Sequence, residues 1–398
     1  MKKIEEKNYL NNFRNIEFEY PYISKDEKCD VLIIGGGISG AITAYEFAKE
    51  NMNVIVVEKN LIGFANTSNN YGILDHELNR KNIKLYNKEV LNDLFKLNIK
   101  AIEEIINIDN EVSSESTIEN LDGMCFTNNF FNKTEFSKQI EYINELGIYN
   151  EELEKQDFFK YKLGFLQKDA LFKIDTYKFT NNIFKYLNSM DNVKIFENTK
   201  ATYINNTKKG KVIVTTQNDF KIECKKVIFT SSTGTIKYIK NAPIAMYKNF
   251  QIVTKPIFDN AENLNFIAKC FDTGRFINFD IDGRVILTGE KVRYVDKFEN
   301  PKYENYFKKD KYKKMKNYVE NLFNLKESEC IDYMYSYDYI YTNDDLPIID
   351  EIPDFKNCYC NLGFCNNSII FNTVGALMLK NAIKGLYSKE MSLFKIQR

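Results

Sequence analysis

The chain has 398 residues, with 55 Lys and Arg balanced by 55 Asp and Glu, so its formal net charge is zero. This balance gives no indication of binding to nucleic acid or to an anionic membrane surface. The N-terminus is charged and lacks an apolar signal region, so we expect a cytoplasmic protein without a transmembrane segment. The eight cysteines form no CxxC pair and His76 is the only histidine, so we expect reduced thiols and no metal site.

Residues 30–58 form the most informative segment. Val31–Ile34 is a short apolar run, which predicts a parallel strand buried on both faces. The motif Gly35-x-Gly37-x-x-Gly40 follows directly. In a dinucleotide-binding turn these glycines allow the tight turn, the close approach to a pyrophosphate and the close packing of helix on strand.

A helix over about Ser39–Glu50 and a second strand over Asn53–Val57 are predicted next. The first amides of the helix have no partner within the helix and would face the phosphates. Glu58 lies 18 residues after Gly40, where a carboxylate accepts hydrogen bonds from ribose hydroxyls and repels a 2′-phosphate. The segment predicts a dinucleotide other than NADP; the alternative is a glycine-rich turn without a ligand.

The middle of the chain changes character. Apolar periodicity predicts helices within 80–108, 134–147 and 175–188, and a further one at 311–324. Between them, short alternating runs and the Asp282-Gly283 turn predict antiparallel strands. This order indicates a dinucleotide domain assembled from separated pieces, with a second domain inserted.

The C-terminal region contains a second strand–turn–helix. Cys358–Leu362 reads as a strand that breaks at Gly363 and is followed by a helix over Phe371–Leu386. The start of such a helix can face a ligand.

With these two ends, the chain resembles the FAD-dependent oxidoreductases of the D-amino-acid oxidase and glycine oxidase family over about residues 29–388. Shared features are the opening glycine motif, the loop Gly63-Phe-Ala-Asn-Thr67-Ser68, the segment Asn198-Thr199-Lys200-Ala201 and the segment Thr342-Asn-Asp344-Asp-Leu346-Pro347. In the final loop the chain keeps Gly363 but has Cys365, Asn366 and Ser368 where the family usually has glycine.

The resemblance implies an α/β plus α+β fold: a Rossmann-like FAD-binding domain built from discontinuous segments, with an inserted, mostly antiparallel β-sheet substrate domain. The implied domains are an N-terminal extension (1–29), an FAD-binding domain (30–85 with 165–240 and 335–398) and a substrate domain (86–164 with 241–334). The implied cofactor-binding residues are Gly35, Gly37, Ile38, Ser39, Gly40, Glu58, Lys59, Thr67, Ser68, Ala201, Gly363, Asn366, Asn367, Ser368 and Ile369.

The implied activity is transfer of a hydride from a C–H next to an amine to FAD, with electrons passed to oxygen or an external acceptor. Arg275 and Arg293 flank the Asp282-Gly283 turn and are candidates for binding a substrate carboxylate; solvated surface charges are the alternative. Tyr341, with Tyr339, is a candidate for lining the substrate pocket, and core packing is its alternative.

Other interpretations stay open from the sequence. His76 could lie beside the flavin or be covalently attached to it, and Cys365 could have a redox or covalent role. The substituted final loop also allows a non-catalytic flavin-binding relative, and the same fold allows oxidation of a hydroxy acid or glycerol phosphate. The sequence does not indicate the oligomeric state.

Overall fold

The fold is described from a computed structural model, in which the chain forms two compact units. The nucleotide unit comprises Phe13–Ile118, Ile174–Ile244 and Ile340–Arg398, and the antiparallel unit comprises Met1–Asn12, Glu119–Lys173 and Ala245–Tyr339. The structure describes residues 8–10, 14–16, 18–69, 72–76, 80–153, 159–207, 210–259, 264–280, 282–293, 301–325, 330–364 and 367–398.

The secondary structure alternates strands and helices at both ends of the chain and is rich in strands between. The strands are β1 (Glu27–Ile34), β2 (Val54–Val57), β3 (Gly72–Asp75), β4 (Ile118–Thr127), β5 (Glu151–Glu152), β6 (Leu163–Ile174), β7 (Val193–Phe196), β8 (Ala201–Asn206), β9 (Val212–Thr216), β10 (Lys221–Phe229), β11 (Ile244–Thr254), β12 (Phe266–Cys270), β13 (Phe276–Phe279), β14 (Val285–Arg293), β15 (Ile331–Thr342), β16 (Ile348–Glu351) and β17 (Cys358–Leu362). The α-helices are α1 (Ile38–Ala48), α2 (Asn66–Asn69), α3 (Arg80–Leu85), α4 (Lys88–Val112), α5 (Lys133–Glu145), α6 (Thr176–Asn188), α7 (Ser232–Thr235), α8 (Pro301–Leu322) and α9 (Ser368–Ile383).

The nucleotide unit is built on a sheet with the strand order β16-β17-β10-β1-β2-β7. Neighbouring strands from β17 to β7 run parallel, and β16 joins β17 in the antiparallel sense. The short strands β8 and β9 extend the N-terminal half of β10 as an antiparallel ribbon. This is the predicted Rossmann-like arrangement, and the predicted fold class is confirmed.

Helix α1 lies at the centre of the helical layer of this unit. Every one of its residues is buried, because it packs against β1 and β2 and against α6 and α9, while α4 packs on α6 and α9 in turn. The helix was expected to run to Glu50. It stops at Ala48, where the chain turns through Asn51 in the left-handed region, φ 57°.

The antiparallel unit contains a sheet with the order β15-β11-β14-β13-β12-β4-β6. The pairs of β14 with β11 and β13, and of β12 with β13, are antiparallel, whereas β12 and β4 are parallel. The predicted Asp282-Gly283 turn joins β13 to β14, with Gly283 at φ 80°. One face of this sheet packs on α8 through a core that includes Phe250, Leu287, Met315 and Val319.

Two features of the structure concern segments whose domain assignment stays a prediction. Strand β1 begins at Glu27, inside the predicted N-terminal extension, because Glu27 already pairs in register with Ile222 of β10. Residues 86–118, which the predicted substrate domain included, belong to the compact nucleotide unit because α4 packs on α6 and α9. Within the described residues, no helix is both long and apolar enough to cross a membrane.

Candidate functional site

The candidate site lies at one edge of the parallel sheet in the nucleotide unit. Ile34, at the end of β1, is in register with Val57 of β2 and with Phe229 of β10, and Phe229 is in register with Cys360 of β17. The loops that follow all four strands therefore leave the sheet at the same edge. In open parallel sheets this is the edge where ligands bind.

The first loop is shaped by its glycines. Gly35 has φ 126°, a value that side chains rarely adopt, and its position beside Thr230 leaves no room for a Cβ. A Cβ on Gly40 would overlap the carbonyl oxygen of Gly35. Thr230 closes the turn, since its hydroxyl donates to the carbonyls of Ile34 and Gly35, both at 3.1 Å. The turn is thus held close against the start of α1.

Glu58 lies directly beside this turn. Its Oε2 accepts a hydrogen bond from the amide of Gly36 at 2.8 Å, and its Oε1 accepts from the amide of Asn60 at 2.9 Å. A carboxylate oxygen can accept a further hydrogen bond, so both oxygens keep capacity for ligand hydroxyls. The side chain is fixed in place before any ligand arrives.

The N-terminus of α1 points out of the same loop. Its N-cap residue, Gly37, supplies no side-chain hydrogen bond, and the hydroxyl of Thr67 accepts from the amide of Ile38 at 3.1 Å. Thr67 is itself anchored by α6, because the Thr176 hydroxyl donates to its carbonyl oxygen at 2.6 Å. The first-turn amides and the helix dipole together form an anion-binding end.

The closing segment joins this site through a buried polar network. The hydroxyl of Ser39 donates to the main-chain carbonyl of Asn361 at 3.2 Å. The side-chain Nδ2 of Asn361 donates to Thr43 Oγ1 at 3.1 Å and to the main-chain carbonyl of Asn372 at 2.8 Å. Asn372 Oδ1 accepts from the amide of Gly363 at 2.8 Å. The two glycine-containing segments, more than 300 residues apart in sequence, therefore share one hydrogen-bond network.

The structure brings many of the predicted cofactor residues to this edge. Gly35, Gly37, Ile38, Ser39, Gly40, Glu58 and Thr67 form the first loop and its surroundings, and Gly363 starts the last one. Asn367 is the N-cap residue of α9, which begins with Ser368 and Ile369, and the side-chain Nδ2 of Asn367 donates to the carbonyl of Asp75 at 3.1 Å. Ser68 is buried in α2, Lys59 is exposed, and Ala201 opens β8. Asn366 and Cys365 lie outside the described residues.

The substrate candidates occupy different surroundings. Arg275 is ion-paired with Glu290, and its guanidinium stacks on Tyr318 of α8 with 4.2 Å to the ring centroid. Glu290 also binds Lys311 of α8 at 2.7 Å. The guanidinium of Arg275 therefore already has an ion-pair partner, and it lies on the face of the antiparallel sheet that α8 covers. Arg293 is exposed at the end of β14, Tyr341 is buried in β15, and Tyr339 contacts Tyr337 with ring centroids 6.2 Å apart.

His76 directly follows β3 in the nucleotide unit. Its ring meets that of Phe95 edge-on, with centroids 5.8 Å apart, and its Nε2 is buried with no hydrogen-bond partner among the described residues. Among the described residues, no group of three or more His, Cys, Asp or Glu side chains is arranged to hold a metal ion.

Four polar residues of the site escaped the sequence analysis. Thr43, Thr230, Asn361 and Asn372 are buried and carry the hydrogen bonds between the loops. A signal for two of them was present: an asparagine inside the apolar strand Cys358–Leu362 and another inside the apolar helix α9 have to find buried partners.

The family comparison decides the identity of the cofactor. Residues 30–380 match the family model described as FAD dependent oxidoreductase. The chain belongs to this family. FAD is accordingly its cofactor, and the geometry fits: the glycine turn and the α1 N-terminus suit a pyrophosphate, and Glu58 suits a ribose.

Solved structures agree over nearly the whole chain. Glycine oxidase from Geobacillus kaustophilus is 14% identical with a TM-score of 0.73, covering 94% of this chain and 99% of that one. L-proline dehydrogenase from P. horikoshii is 18% identical with a TM-score of 0.72, covering 94% and 98%. FAD-bound L-α-glycerophosphate oxidase from Mycoplasma pneumoniae is 17% identical with a TM-score of 0.70, covering 89% and 95%. These identities establish the fold alone.

One curated protein matches locally. The Bacillus subtilis protein YhfW is 46% identical over 43 residues, which are 11% of this chain and 8% of that protein. The match covers so little of YhfW that it bears on one segment only.

Proposed function

We propose that this FAD-dependent oxidoreductase removes a hydride from the C–H next to an amine, in an amino acid or a secondary amine. The observation that carries the cofactor half of this proposal is the pairing of the glycine turn with Glu58 at the sheet edge, where Gly36 N and Glu58 Oε2 are 2.8 Å apart. When bound, FAD supplies the hydride acceptor. The electrons then pass to oxygen or to an external acceptor.

The chain's own residues would bind and orient the cofactor. Glu58 would accept hydrogen bonds from the ribose hydroxyls, and its negative charge would disfavour a 2′-phosphate. The α1 N-terminus would hold the pyrophosphate. The start of α9, at Asn367, Ser368 and Ile369, would place amides and the positive end of a helix dipole near the flavin end.

The choice of an amine donor rests on chemistry and on the structural neighbours. A neutral amine carries a lone pair that assists loss of the hydride, whereas an alcohol must lose its O–H proton to a base. Histidine is the usual base. His76 is the only histidine in the chain, and its Nε2 is buried, so a histidine base for an alcohol substrate is not supported. Two neighbours of the same fold are named as a glycine oxidase and a proline dehydrogenase.

An anaerobic bleaching screen tests the proposal. The FAD-loaded protein is mixed without oxygen with amino acids, secondary amines, hydroxy acids and glycerol phosphate, and absorbance near 450 nm is followed. Bleaching by an amine and not by the alcohol of matching skeleton supports the proposal. Bleaching by alcohols alone would instead support a second candidate, oxidation of a hydroxy acid or glycerol phosphate, which the FAD-bound glycerophosphate oxidase neighbour favours.

A third candidate is a flavin-binding relative without turnover. The observation behind it is the final loop, where Asn366 and Ser368 replace the family's usual glycines. It predicts that no compound of the screen bleaches the flavin, while dithionite does.

A further inference from the structure

A buried arginine near the start of the nucleotide unit supports the first turn of α6. The side chain of Arg14 is only 5% exposed, and its Nη1 donates to both carboxylate oxygens of Asp175, at 2.5 and 2.6 Å. Asp175 is the N-cap residue of α6, and its Oδ1 accepts from the amides of Tyr177 and Lys178 at 3.1 and 3.0 Å. The guanidinium of Arg14 therefore fixes the carboxylate that caps this helix.

The same guanidinium packs on the aromatic ring of Tyr177. Its Cζ lies 5.1 Å from the ring centroid, which is a cation–π contact. The hydroxyl of Tyr177 donates to the main-chain carbonyl of Asn15 at 2.8 Å. Arg14 and Asn15 therefore hold the first turn of α6 by an ion pair, a ring contact and a hydrogen bond.

The first turn of α6 is connected to the N-terminus of α1 through two buried threonines. The hydroxyl of Thr176 donates to the carbonyl of Thr67 at 2.6 Å, and the hydroxyl of Thr67 accepts from the amide of Ile38 at 3.1 Å. Ile38 is the first residue of α1. The position of α6 therefore bears on the helix end that would hold the pyrophosphate.

A second connection runs from Tyr177 through Gly63 to the glycine turn. A Cβ placed on Gly63 would lie 3.1 Å from Cδ2 of Tyr177, so the ring lies directly against this glycine. The amide of Gly63 donates to the carbonyl of Gly36 at 3.0 Å. The ring on which Arg14 packs therefore borders the residue that is hydrogen-bonded to the turn.

A contribution to stability alone explains Arg14 poorly. Its Nε and Nη2 are buried with no hydrogen-bond partner within the part of the chain that the structure describes. Unsatisfied buried donors cost free energy, and a buried ion pair is often no more stabilising than apolar side chains of the same volume. What the ion pair with Asp175 adds over an apolar contact is a defined orientation of the α6 N-cap.

We propose that Arg14 is a positioning residue for the pyrophosphate of FAD. It acts through Asp175 and Tyr177 on the first turn of α6, and through that turn on the amide of Ile38 and the carbonyl of Gly36. This inference rests on the proposed contact between the α1 N-terminus and the pyrophosphate. Loss of Arg14 should therefore weaken cofactor binding although no group that contacts FAD is removed.

Titration of the apoprotein with FAD and with ADP tests the proposal, because ADP carries the adenosine and the diphosphate without the flavin. Arg14→Gln removes the charge and Arg14→Lys restores it. Asp175→Asn breaks the ion pair but keeps an oxygen that can cap α6. The matched control is Arg284→Gln, since Arg284 is 15% exposed and ion-paired with Asp332 at 2.7 Å but belongs to the antiparallel unit. Urea unfolding of each apoprotein measures its stability.

We expect Arg14→Gln to weaken the binding of FAD and of ADP by the same factor, roughly five- to tenfold. Arg14→Lys should recover most of the loss. Asp175→Asn should show a similar loss, and the Arg14→Gln/Asp175→Asn variant should bind no more weakly than Arg14→Gln alone, because the two residues act as a unit. If Arg14→Gln does not fold, Asp175→Asn and Arg14→Lys give the same comparison. Arg284→Gln should lose stability and keep its affinity for FAD.

Three results would overturn the proposal. They are unchanged affinities in the Arg14 and Asp175 variants, losses that simply add in the double variant, and a loss in Arg284→Gln as large as that in Arg14→Gln. Weaker binding of FAD with unchanged binding of ADP would also overturn it, because the effect would then lie at the flavin half. Failure of the underlying pyrophosphate contact would look different: the phosphorus NMR signals of FAD would not shift on binding to the native chain, and the inference would fall with that contact.

Discussion

The main-chain amide of Gly36 donates to the carboxylate of Glu58 at 2.8 Å. The hydrogen bond joins the glycine turn after β1 to the acid after β2, so pyrophosphate and ribose contacts would share one rigid frame.

Glu58→Gln removes the charge and one acceptor oxygen. We expect FAD to bind roughly tenfold more weakly, in line with the loss of a charge-assisted hydrogen bond. Fluorescence titration of the apoprotein with FAD measures this affinity, and Glu103→Gln, at an exposed position of α4, is the control. Equal affinities of the Glu58→Gln variant and the native chain would remove Glu58 from the site.

The contact between Gly40 and Gly35 makes a steric prediction. Alanine normally favours a helix over glycine by about 1 kcal/mol, but a Cβ at Gly40 would overlap the Gly35 carbonyl. We expect Gly40→Ala to lower the free energy of unfolding by about 3 kcal/mol and to abolish FAD binding. Gly147→Ala is the control, because nothing lies within 4 Å of a Cβ there and only its φ of 92° is unfavourable. Urea unfolding compares the two; a harmless Gly40→Ala would contradict the described packing.

The buried network at Asn372 predicts a second stability effect. Asn372→Ala leaves the main-chain amide of Gly363 without its acceptor, at a cost of about 1–3 kcal/mol. The loss should also shift the flavin absorbance maximum, because Gly363 begins the loop at the flavin end of the proposed site. Asn381→Ala, at an exposed position of the same helix, is the control. A destabilisation without any spectral change would confine Asn372 to a structural role.

The buried carboxyl of Glu46 predicts a pH dependence. Burial raises the pKa of Glu46 to about 7, although Lys380, 2.6 Å away, lowers it in part; Glu104 raises it further. A pKa raised by folding means that this carboxyl stabilises the fold most below about pH 4.5, and that this contribution is lost as the pH rises through about 7. The neighbouring carboxyl of Glu50 should contribute to stability with the opposite pH dependence. Lys384 lowers its pKa, so its contribution is present at high pH and is lost as the pH falls.

Urea midpoints measured between pH 5 and 8 test this assignment. Glu46→Gln should flatten the decline of stability across that range. Glu50→Gln should leave the decline in place. If the Glu46→Gln variant and the native chain decline in parallel, Glu46 is ionised throughout.

The ion pair of Arg275 with Glu290 predicts a structural role for this arginine. Both side chains are mostly buried, with 11% and 14% exposed, so removing either should cost about 3 kcal/mol. The double variant should cost less than the sum of the two, because the remaining partner is no longer left uncompensated. Urea unfolding of Arg275→Ala, Glu290→Ala and the pair gives the cycle. Unchanged stability with a weakened response to substrate would return Arg275 to the role of substrate anchor.

The sequence predicted the frame of the site well, for a physical reason. Strand, glycine turn, helix and Glu58 are local in sequence, and each constrains the backbone directly. Gly363 was also identifiable, because a strand that breaks at glycine before a helix is a local pattern. Asn361 and Thr230 were not identified, since their partners, Thr43 and the Gly35 carbonyl, lie far away in sequence.

Arg275 shows a different limit. An arginine near a hairpin suggested a guanidinium available to bind a substrate carboxylate. In the structure Arg275, directly before β13, is ion-paired with Glu290 and stacks on Tyr318 of α8. Which cation is free depends on tertiary packing, which no local pattern encodes. The predicted domain boundaries and substrate residues stay predictions.

The central claim is that this FAD-dependent protein oxidises the C–H beside an amine. The most direct measurement is the rate of anaerobic flavin bleaching by an amine from the screen, compared with the same amine deuterated at that carbon. We predict bleaching near 450 nm that is several-fold slower with the deuterated compound. Two results would contradict the claim. One is bleaching by dithionite but by no amine. The other is bleaching by an amine without an isotope effect and to the same extent by its alcohol counterpart.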